Sequence, residues 1–291
     1  LVELDALAPH AGPIETIFVG GGTPSLLRAD LWKRLLGCLP RAFDLSRLVE
    51  FTVECNPETV TPGLMAALKA GGVTRVSMGA QSFDPRHLKT LERWHDPASV
   101  QRALTLAAEA GIERRSIDLI YAIPGQTLND WTRDLDAALS LDPGVGHVSC
   151  YALTDEPNTA MTKRLALGHV QRADEDLEAD MFEATVSILR AAGFERYEVS
   201  NFARPVESAG GECAHNMVYW RQGSWLGAGP SASSHLRLAD PLAGGWRWKN
   251  LPRLTDWLDG VRTNAGLPPV VDLEAPDPRR ALAERVMTGL G

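Results

Sequence analysis

The sequence predicts an α/β fold, in which a partial (β/α) parallel barrel is followed by an irregular C-terminal extension. Five short runs rich in β-branched residues recur along the chain, and each ends in a polar or Gly/Pro-rich segment. Amphipathic helical patterns separate these runs. Strand–helix alternation of this kind requires right-handed crossovers and therefore a parallel sheet. Five strands indicate an incomplete barrel, and a doubly wound sheet is the alternative that the sequence leaves open.

The predicted strands span residues 15–19, 51–55, 75–79, 116–120 and 147–151. Leucines and other apolar residues recur at helical spacing between them, and a further helical pattern runs from 175 to 192. Three helices have clear predicted starts, because a capping oxygen precedes a proline at Thr61, Asp84 and Asp96.

The pattern changes at about residue 200, so we expect two regions. Residues 1–200 form the predicted barrel, and residues 201–291 form an irregular extension rich in tryptophan and glycine that ends at the start of a helical domain. The chain begins with Leu1 instead of methionine, and it stops at Gly291 within a helical pattern. We therefore expect the sequence to be a fragment.

Composition excludes several classes of protein. The chain has 291 residues, of which 44% are apolar and 23% charged, which is ordinary for a globular protein. Its net charge of -8 argues against nucleic-acid binding, because phosphate contacts need clustered Lys and Arg. No apolar run is long enough to predict a membrane span. The four cysteines show no C-x-x-C spacing, which favours reduced thiols and a cytoplasmic protein.

Polar groups stand where the predicted strands end, which is the edge at which parallel α/β folds bind ligands. A glycine-rich loop at 20–23 follows the first strand, Glu54 ends the second, and Gln81 follows the third. Asp118 lies within the apolar fourth strand, where a carboxylate is costly unless it is paired or faces a cavity. Arg93, on the predicted helix after Gln81, offers bidentate recognition of a carboxylate.

Together these groups match S-adenosylmethionine, which carries an ammonium, a carboxylate, a ribose diol and an adenine. A sugar phosphate could use similar groups, and that ligand class stays open. Taken singly, the glycine loop also suits a tight turn, each acid also suits a structural ion pair, and Arg93 also suits a plain surface position.

Four segments, in order, resemble motifs of the radical S-adenosylmethionine (SAM) proteins related to oxygen-independent coproporphyrinogen III oxidase. They are F-V-G-G-G-T-P-S at 18–25, E-C-N-P at 54–57, R-V-S-M-G-A-Q-S-F at 75–83 and S-I-D-L-I-Y at 116–121. Two branches compete: the oxidase and the haem chaperones of HemW type. Three later segments resemble the chaperone branch: 197–203, 213–220 with its H-N-x-x-Y-W motif, and 226–234.

The resemblance implies a set of site residues. For the cofactor it implies that the methionine end is lined by Gly21, Gly22 and Thr23, that other groups are contacted by Glu54, Gln81, Arg93 and Asp118, and that Ala152 lies near the adenosine. For haem it implies His215 as an iron ligand, whereas the alternative is a histidine that anchors a loop by hydrogen bonds. Cys213 is interpreted as an inert thiol.

One departure from the family pattern matters. The family carries C-x-x-x-C-x-x-C upstream of the glycine loop, and those cysteines hold a [4Fe–4S] cluster. This chain lacks that motif, and the family's C-terminal helical domain is also missing. The chain as given is therefore not expected to bind the cluster or to cleave the cofactor, and the resemblance implies a [4Fe–4S] cluster in the complete protein only.

The resemblance implies a haem chaperone that binds SAM and haem and transfers haem to a haem-accepting protein. The alternative is the oxidase itself, which decarboxylates coproporphyrinogen III in porphyrin biosynthesis. A barrel enzyme with a phosphorylated substrate is the third hypothesis.

Overall fold

A computed structural model of the chain describes residues 1–154, 159–205, 211–240 and 242–289. The chain divides into two units. The barrel unit comprises Phe18–Trp32 and Phe51–Glu212, and the composite unit comprises Leu1–Ile17, Lys33–Glu50 and Cys213–Gly291. The division differs from the boundary expected at residue 200, because two N-terminal segments belong to the same unit as the C-terminal segment.

The larger sheet of the described chain has seven strands: β1 (Thr16–Val19), β2 (Glu50–Cys55), β3 (Arg75–Gln81), β4 (Arg114–Tyr121), β5 (His147–Ala152), β6 (Glu195–Arg196) and β7 (Asn201–Ala203). Their order is β1-β2-β3-β4-β5-β7-β6. Strands β2 to β5 are parallel, whereas β7 runs antiparallel to both β5 and β6. The five predicted strands are confirmed. Because β1 to β5 lie in chain order, the doubly wound alternative is excluded, since that architecture reverses its order at a switch point.

Helices separate the parallel strands and also build part of the composite unit. They are α1 (Val2–Leu7), α2 (Ala29–Ala42), α3 (Pro62–Ala70), α4 (Pro85–Thr90), α5 (Ala98–Glu109), α6 (Leu128–Leu139), α7 (Ala160–Ala166), α8 (Glu175–Ala191), α9 (Ala214–Trp220), α10 (Leu254–Thr263) and α11 (Pro278–Gly289). Thr61 caps α3 and Asp84 caps α4, as predicted. Asp96 accepts a hydrogen bond from the backbone N–H of Ala98, but the residue at the N-cap of α5 is Pro97.

The two faces of the parallel strands differ in polarity. Side chains alternate between faces along a strand, and residues paired across parallel strands share a face. Val53, Val76 and Ile117 lie on one face and are fully buried. The opposite side, which we call the polar face, carries Thr52, Glu54, Arg75, Ser77, Ser116, Asp118, His147 and Ser149.

The composite unit contains a second, antiparallel sheet, with strands β8 (Ser233–Arg237), β9 (Gly245–Asn250) and β10 (Val270–Glu274) in the order β10-β9-β8. Glu3 of α1 accepts hydrogen bonds from the Gly229 N–H at 2.8 Å and the Asn250 side chain at 2.8 Å. This order differs from the irregular structure expected after residue 200. The abundance of glycine favoured that expectation, yet Gly245 begins strand β9. Glycine is needed there because a Cβ would stand 2.6 Å from the Leu236 carbonyl oxygen of the paired strand.

In the described part of the chain, no helix combines the length and the apolar character needed to cross a membrane.

Helices α6 and α8 are joined by the buried side chain of Trp131. Its indole N–H lies 3.1 Å from the Met181 carbonyl oxygen and 2.9 Å from the Thr185 hydroxyl, so it donates to both. The ring itself is fully buried. This contact therefore combines apolar burial with a satisfied buried donor.

We expect Trp131→Phe to lower the free energy of unfolding by about 1–3 kcal/mol, because ring volume and a buried hydrogen bond are lost together. The measurement is urea denaturation followed by circular dichroism. Trp94→Phe is the matched control, since Trp94 is 80% exposed and should change little. Equal stabilities for the two variants would contradict this role of Trp131.

Candidate functional site

The glycine loop after β1 needs glycine at three consecutive positions for two different reasons. Gly21 and Gly22 have φ angles of 82° and 61°, in the left-handed region that favours glycine. At Gly20 the reason is space, because a Cβ there would lie 2.8 Å from the Glu54 carboxylate and 2.7 Å from the Phe18 ring. Nothing lies within 4 Å of a Cβ built on Gly21 or Gly22. The backbone of the loop is therefore open to a ligand at those two residues.

Glu54, on the polar face of β2, is joined directly to this loop. Its carboxylate accepts a hydrogen bond from the Gly21 N–H at 3.0 Å. Behind it, the Ser25 hydroxyl accepts from the Asn56 N–H at 2.9 Å and hydrogen-bonds to Thr59. The loops after β1 and β2 are thus held together by side-chain bonds, and Ser25 has a positioning role that sequence reasoning missed.

Asp118 occupies the polar face of β4 and is only partly exposed. The Ser77 hydroxyl of β3 lies 3.1 Å from each of its oxygens, and Ser149 of β5 also hydrogen-bonds to it. The carboxylate is therefore oriented by the strands on both sides. From the sequence, an acid within an apolar strand was expected to be paired or to face a cavity. The bonds from Ser77 and Ser149 are consistent with that expectation.

Gln81 ends β3 with a left-handed backbone (φ 63°), next to an irregularity in its pairing with β4. Its side chain lies over Gly79, where a Cβ would stand 2.8 Å from the Gln81 Nε2 atom. Gly79 is the residue that pairs with Asp118. The amide is thereby brought to the row of the polar face that holds Asp118.

Arg93 and Ala152 are the remaining residues implied for the cofactor. Ala152 ends β5 opposite Tyr121. Arg93 does not lie on a helix as predicted: α4 ends at Thr90, and the left-handed residue Glu92 (φ 57°) turns the chain before Arg93. The Arg93 side chain is exposed and forms no ion pair with any residue that the structure describes. The Arg93 side chain is thus accessible to a ligand, but among the described residues no hydrogen bond or ion pair joins it to Glu54 or Asp118.

The acids of the polar face are electrostatically coupled. Burial raises the pKa of Glu54; the Gly21 N–H opposes this shift, the charge of Asp118 adds to it, and the charge of Arg75 opposes it. Burial likewise raises the pKa of Asp118, against its bonds to Ser149 and Ser77 and against the charge of Arg75. Arg75 is therefore the cation that favours ionisation of both acids.

Sequence reasoning missed Arg75, although a signal was present. Arg75, Ser77 and Gly79 alternate along one strand, and period-two spacing puts them on one face. Arg75 is almost fully buried, which for an arginine is rare without compensating charge.

The second candidate centre is His215 on α9, in the composite unit. Its Nδ1 lies 2.8 Å from the Thr16 hydroxyl, and its Nε2 lies 2.8 Å from the Tyr219 hydroxyl. The Tyr219 ring packs edge-on against Trp225, with centroids 4.6 Å apart. His215 is therefore hydrogen-bonded through both ring nitrogens. This is the arrangement of a histidine that anchors a loop by hydrogen bonds, the alternative to an iron ligand.

A buried carboxylate fixes the start of α9. Glu50 accepts hydrogen bonds from the Ala214 N–H at 3.0 Å and the His215 N–H at 3.1 Å, and from the Cys213 thiol at 3.3 Å. An acid suits this position because a helix N-terminus carries unsatisfied N–H groups and partial positive charge. Cys213 thus serves as a donor in the helix cap, a role consistent with an inert thiol.

The cysteines do not fit an iron–sulfur cluster. All four are buried: Cys38, Cys55, Cys150 and Cys213. Burial raises the pKa of Cys55 to about 12 and that of Cys150 further still, whereas a metal ligand must be a thiolate. None belongs to a group of three metal-ligand side chains among the described residues.

Such a group does occur in the described chain, at Asp84, His87 and Asp130. Its carboxylates already have protein donors, because Arg86 bonds to both acids and the Thr127 N–H and hydroxyl bond to Asp130. This cluster is an ion-pair network that anchors the starts of α4 and α6.

We expect Asp118→Asn to raise the free energy of unfolding at neutral pH by about 0.5–2 kcal/mol, because the variant removes a charge that burial disfavours. An acid whose pKa is raised in the folded state costs no stability at a pH below its ordinary pKa. The cost appears as the pH rises through the folded-state pKa, and the variant avoids it. The gain should therefore shrink as pH falls toward 3.8, the ordinary value for this carboxyl. Thermal unfolding over a pH series measures it.

The control is Asp259→Asn, because Asp259 is exposed on α10 and should show no such pH-dependent gain. A less stable Asp118→Asn variant at neutral pH would contradict the electrostatic account of the polar face.

Comparison with known proteins shows which families and structures this chain resembles. A model of the radical SAM superfamily matches residues 1–138. The chain is 42% identical over 250 residues to the heme chaperone HemW of Mycobacterium tuberculosis H37Rv, with 86% of this chain and 61% of that protein covered. It is 38% identical over 239 residues to HemW of Escherichia coli K12, with 82% and 61% covered. The chain thus spans about three fifths of the length of these curated relatives.

Among solved structures, coproporphyrinogen III oxidase (HemN) from Escherichia coli superposes with a TM-score of 0.80, covering 99% of this chain and 66% of that one. The sequence identity is 22%, so the likeness concerns the fold. The chain is thus similar to the radical SAM superfamily over residues 1–138, to HemW in sequence and to HemN in fold.

Proposed function

We propose that this chain carries the haem-binding and SAM-binding parts of a haem chaperone, which binds haem and passes it to haem-requiring proteins. The observation that carries the proposal is His215 on α9, held by Thr16 through Nδ1 and placed on a helix whose start is fixed by Glu50. The name of the HemW relatives supports the same function.

The surroundings of His215 suit a haem-iron ligand. Metal-binding histidines commonly fix one ring nitrogen by a hydrogen bond and coordinate through the other. Here Thr16 holds Nδ1 and leaves Nε2 on the side of Tyr219. Tyr219 is 42% exposed, so the coordinating side of the imidazole lies near the surface. A large planar ligand such as a porphyrin can approach from there.

The barrel unit suits the SAM part of the proposal. The exposed backbone at Gly21 and Gly22, with Thr23, would meet the methionine end of the cofactor. Glu54 and Asp118 would accept hydrogen bonds from its ammonium and ribose groups. The remaining proposed contacts are Gln81, the exposed Arg93 for the carboxylate and Ala152 beside the adenosine.

A [4Fe–4S] cluster supplies the electron that cleaves SAM in radical enzymes of this superfamily. The cysteines of this chain do not fit its ligands, so the cluster is proposed for the complete protein only, and no step is assigned to it here. What these residues offer is binding: acids and amides for the cofactor and an imidazole for haem. The HemW relatives support the chaperone, and the HemN fold keeps the oxidase as the alternative to test.

We expect His215→Ala, made in the full-length gene product, to weaken haem binding and alter the Soret band, because the axial nitrogen is lost. Haem titration followed by absorbance measures both. His169→Ala is the matched control, since His169 is exposed outside the composite unit. A wild-type spectrum for His215→Ala would remove His215 as the ligand.

The same preparation separates chaperone from oxidase. Loaded protein should transfer haem to an apo-haem protein such as apomyoglobin. Anaerobic incubation with coproporphyrinogen III, SAM and a reductant should give no protoporphyrinogen IX by chromatography. Formation of that product would establish the oxidase alternative.

For the cofactor, we expect Arg93→Ala to weaken SAM binding by about 1–3 kcal/mol, the contribution of a hydrogen bond to a charged group. Isothermal titration calorimetry measures the affinity. Arg34→Ala is the control, since Arg34 is exposed on α2. Unchanged affinity for Arg93→Ala would refute this assignment of the carboxylate contact.

A further inference from the structure

The two hydrogen bonds of His215 indicate which ring nitrogen carries the proton. Tyr219 and Thr16 each offer a hydroxyl at 2.8 Å. A phenol is a better donor and a poorer acceptor than an aliphatic hydroxyl. The favoured arrangement has Tyr219 O–H donating to Nε2 and Nδ1–H donating to Thr16.

In this tautomer the lone pair that would bind iron is the one that Tyr219 occupies. Nδ1 carries a proton and cannot coordinate, so Nε2 is the ligand nitrogen. Iron and the Tyr219 hydroxyl therefore compete for one lone pair. The competition is built into one helix, because residues four apart lie on the same side of it.

We propose that Tyr219 is a reversible occupant of the haem-ligating nitrogen of His215, which weakens haem binding and favours haem release. The inference rests on the proposed haem-binding function. On binding, the O–H···Nε2 hydrogen bond breaks, the iron–Nε2 bond forms, and the phenol keeps its proton. On release the hydrogen bond forms again, so no proton or electron is exchanged with another reactant.

The Tyr219 hydroxyl is fixed to its ring, so it leaves Nε2 only when the Tyr219 side chain turns. The Tyr219 ring stands edge-on to both His215 and Trp225, at interplanar angles of 86° and 89°. Trp225 in turn packs on His235, with ring centroids 4.8 Å apart. Tyr219 is 42% exposed, so its side chain can turn toward solvent and exchange the bond to Nε2 for one to water. For a protein that must pass haem on, a competing internal donor limits how tightly the iron is held.

One different arrangement must be separated from this proposal. Tyrosine itself can ligate haem iron, and a histidine beside it could accept the phenol proton. In that case Tyr219 would be the ligand and His215 its hydrogen-bond partner. The two arrangements predict opposite effects of removing the hydroxyl.

The decisive variant is Tyr219→Phe in the full-length protein, because it keeps the ring packing and removes only the hydroxyl. We expect roughly fivefold tighter haem binding, the equivalent of one ordinary hydrogen bond. Haem should also leave for apomyoglobin roughly fivefold more slowly, and the Soret band should stay as in the wild type. Unchanged or weaker binding, or an altered Soret band, would overturn the proposal.

Failure of this inference is distinguishable from failure of the proposed function. If His215→Ala loses haem and Tyr219→Phe does not bind it more tightly, histidine ligation stands and the competition is refuted. If His215→Ala binds haem with the wild-type spectrum, the proposed ligand itself fails.

A haem-free measurement tests the tautomer directly. Nitrogen-15 NMR of histidine-labelled protein should show His215 with its proton on Nδ1, and Thr16→Val should shift that resonance. A proton on Nε2 would overturn the proposal, because Tyr219 would then accept instead of donate.

Discussion

The alternation of side chains along β2 to β5 is the constraint on which the barrel unit depends. Because successive residues point to opposite faces, one face can be apolar while the other collects groups that would be costly in a core. Val53 and Glu54 are neighbours in sequence, yet the first is fully buried in apolar surroundings and the second reaches the glycine loop. The strand register then decides which polar groups meet, as Ser77 and Asp118 do.

The polar face carries an electrostatic cost that a binding site can use. Burial disfavours ionisation of Glu54 and Asp118, and the charge of Asp118 further disfavours ionisation of Glu54. Arg75 partly compensates them from the same face. A cationic ligand group on this face would add further compensation, and its binding would then stabilise this region.

The composite unit follows a different principle, in which acids satisfy backbone and side-chain donors. Glu50 caps α9, and Glu3 joins α1 to the segment before β8 and to β9. Because these acids come from segments far away in sequence, the orientation of His215 depends on distant parts of the chain. These fixed anchors hold the start of the short helix α9 and thereby set the position of His215.

The sequence by itself determined the alternation of strands and helices, since hydrophobic period and capping residues such as Thr61 are local signals. It also indicated Glu54 and Asp118, because an acid in an apolar strand contradicts its surroundings. Only the tertiary structure decided that Arg75 serves both acids, that Glu50 caps α9, that Gly245 belongs to a strand and that both nitrogens of His215 are bonded. These features depend on residues distant in sequence, whose meeting is set by strand register and packing and not by local propensity.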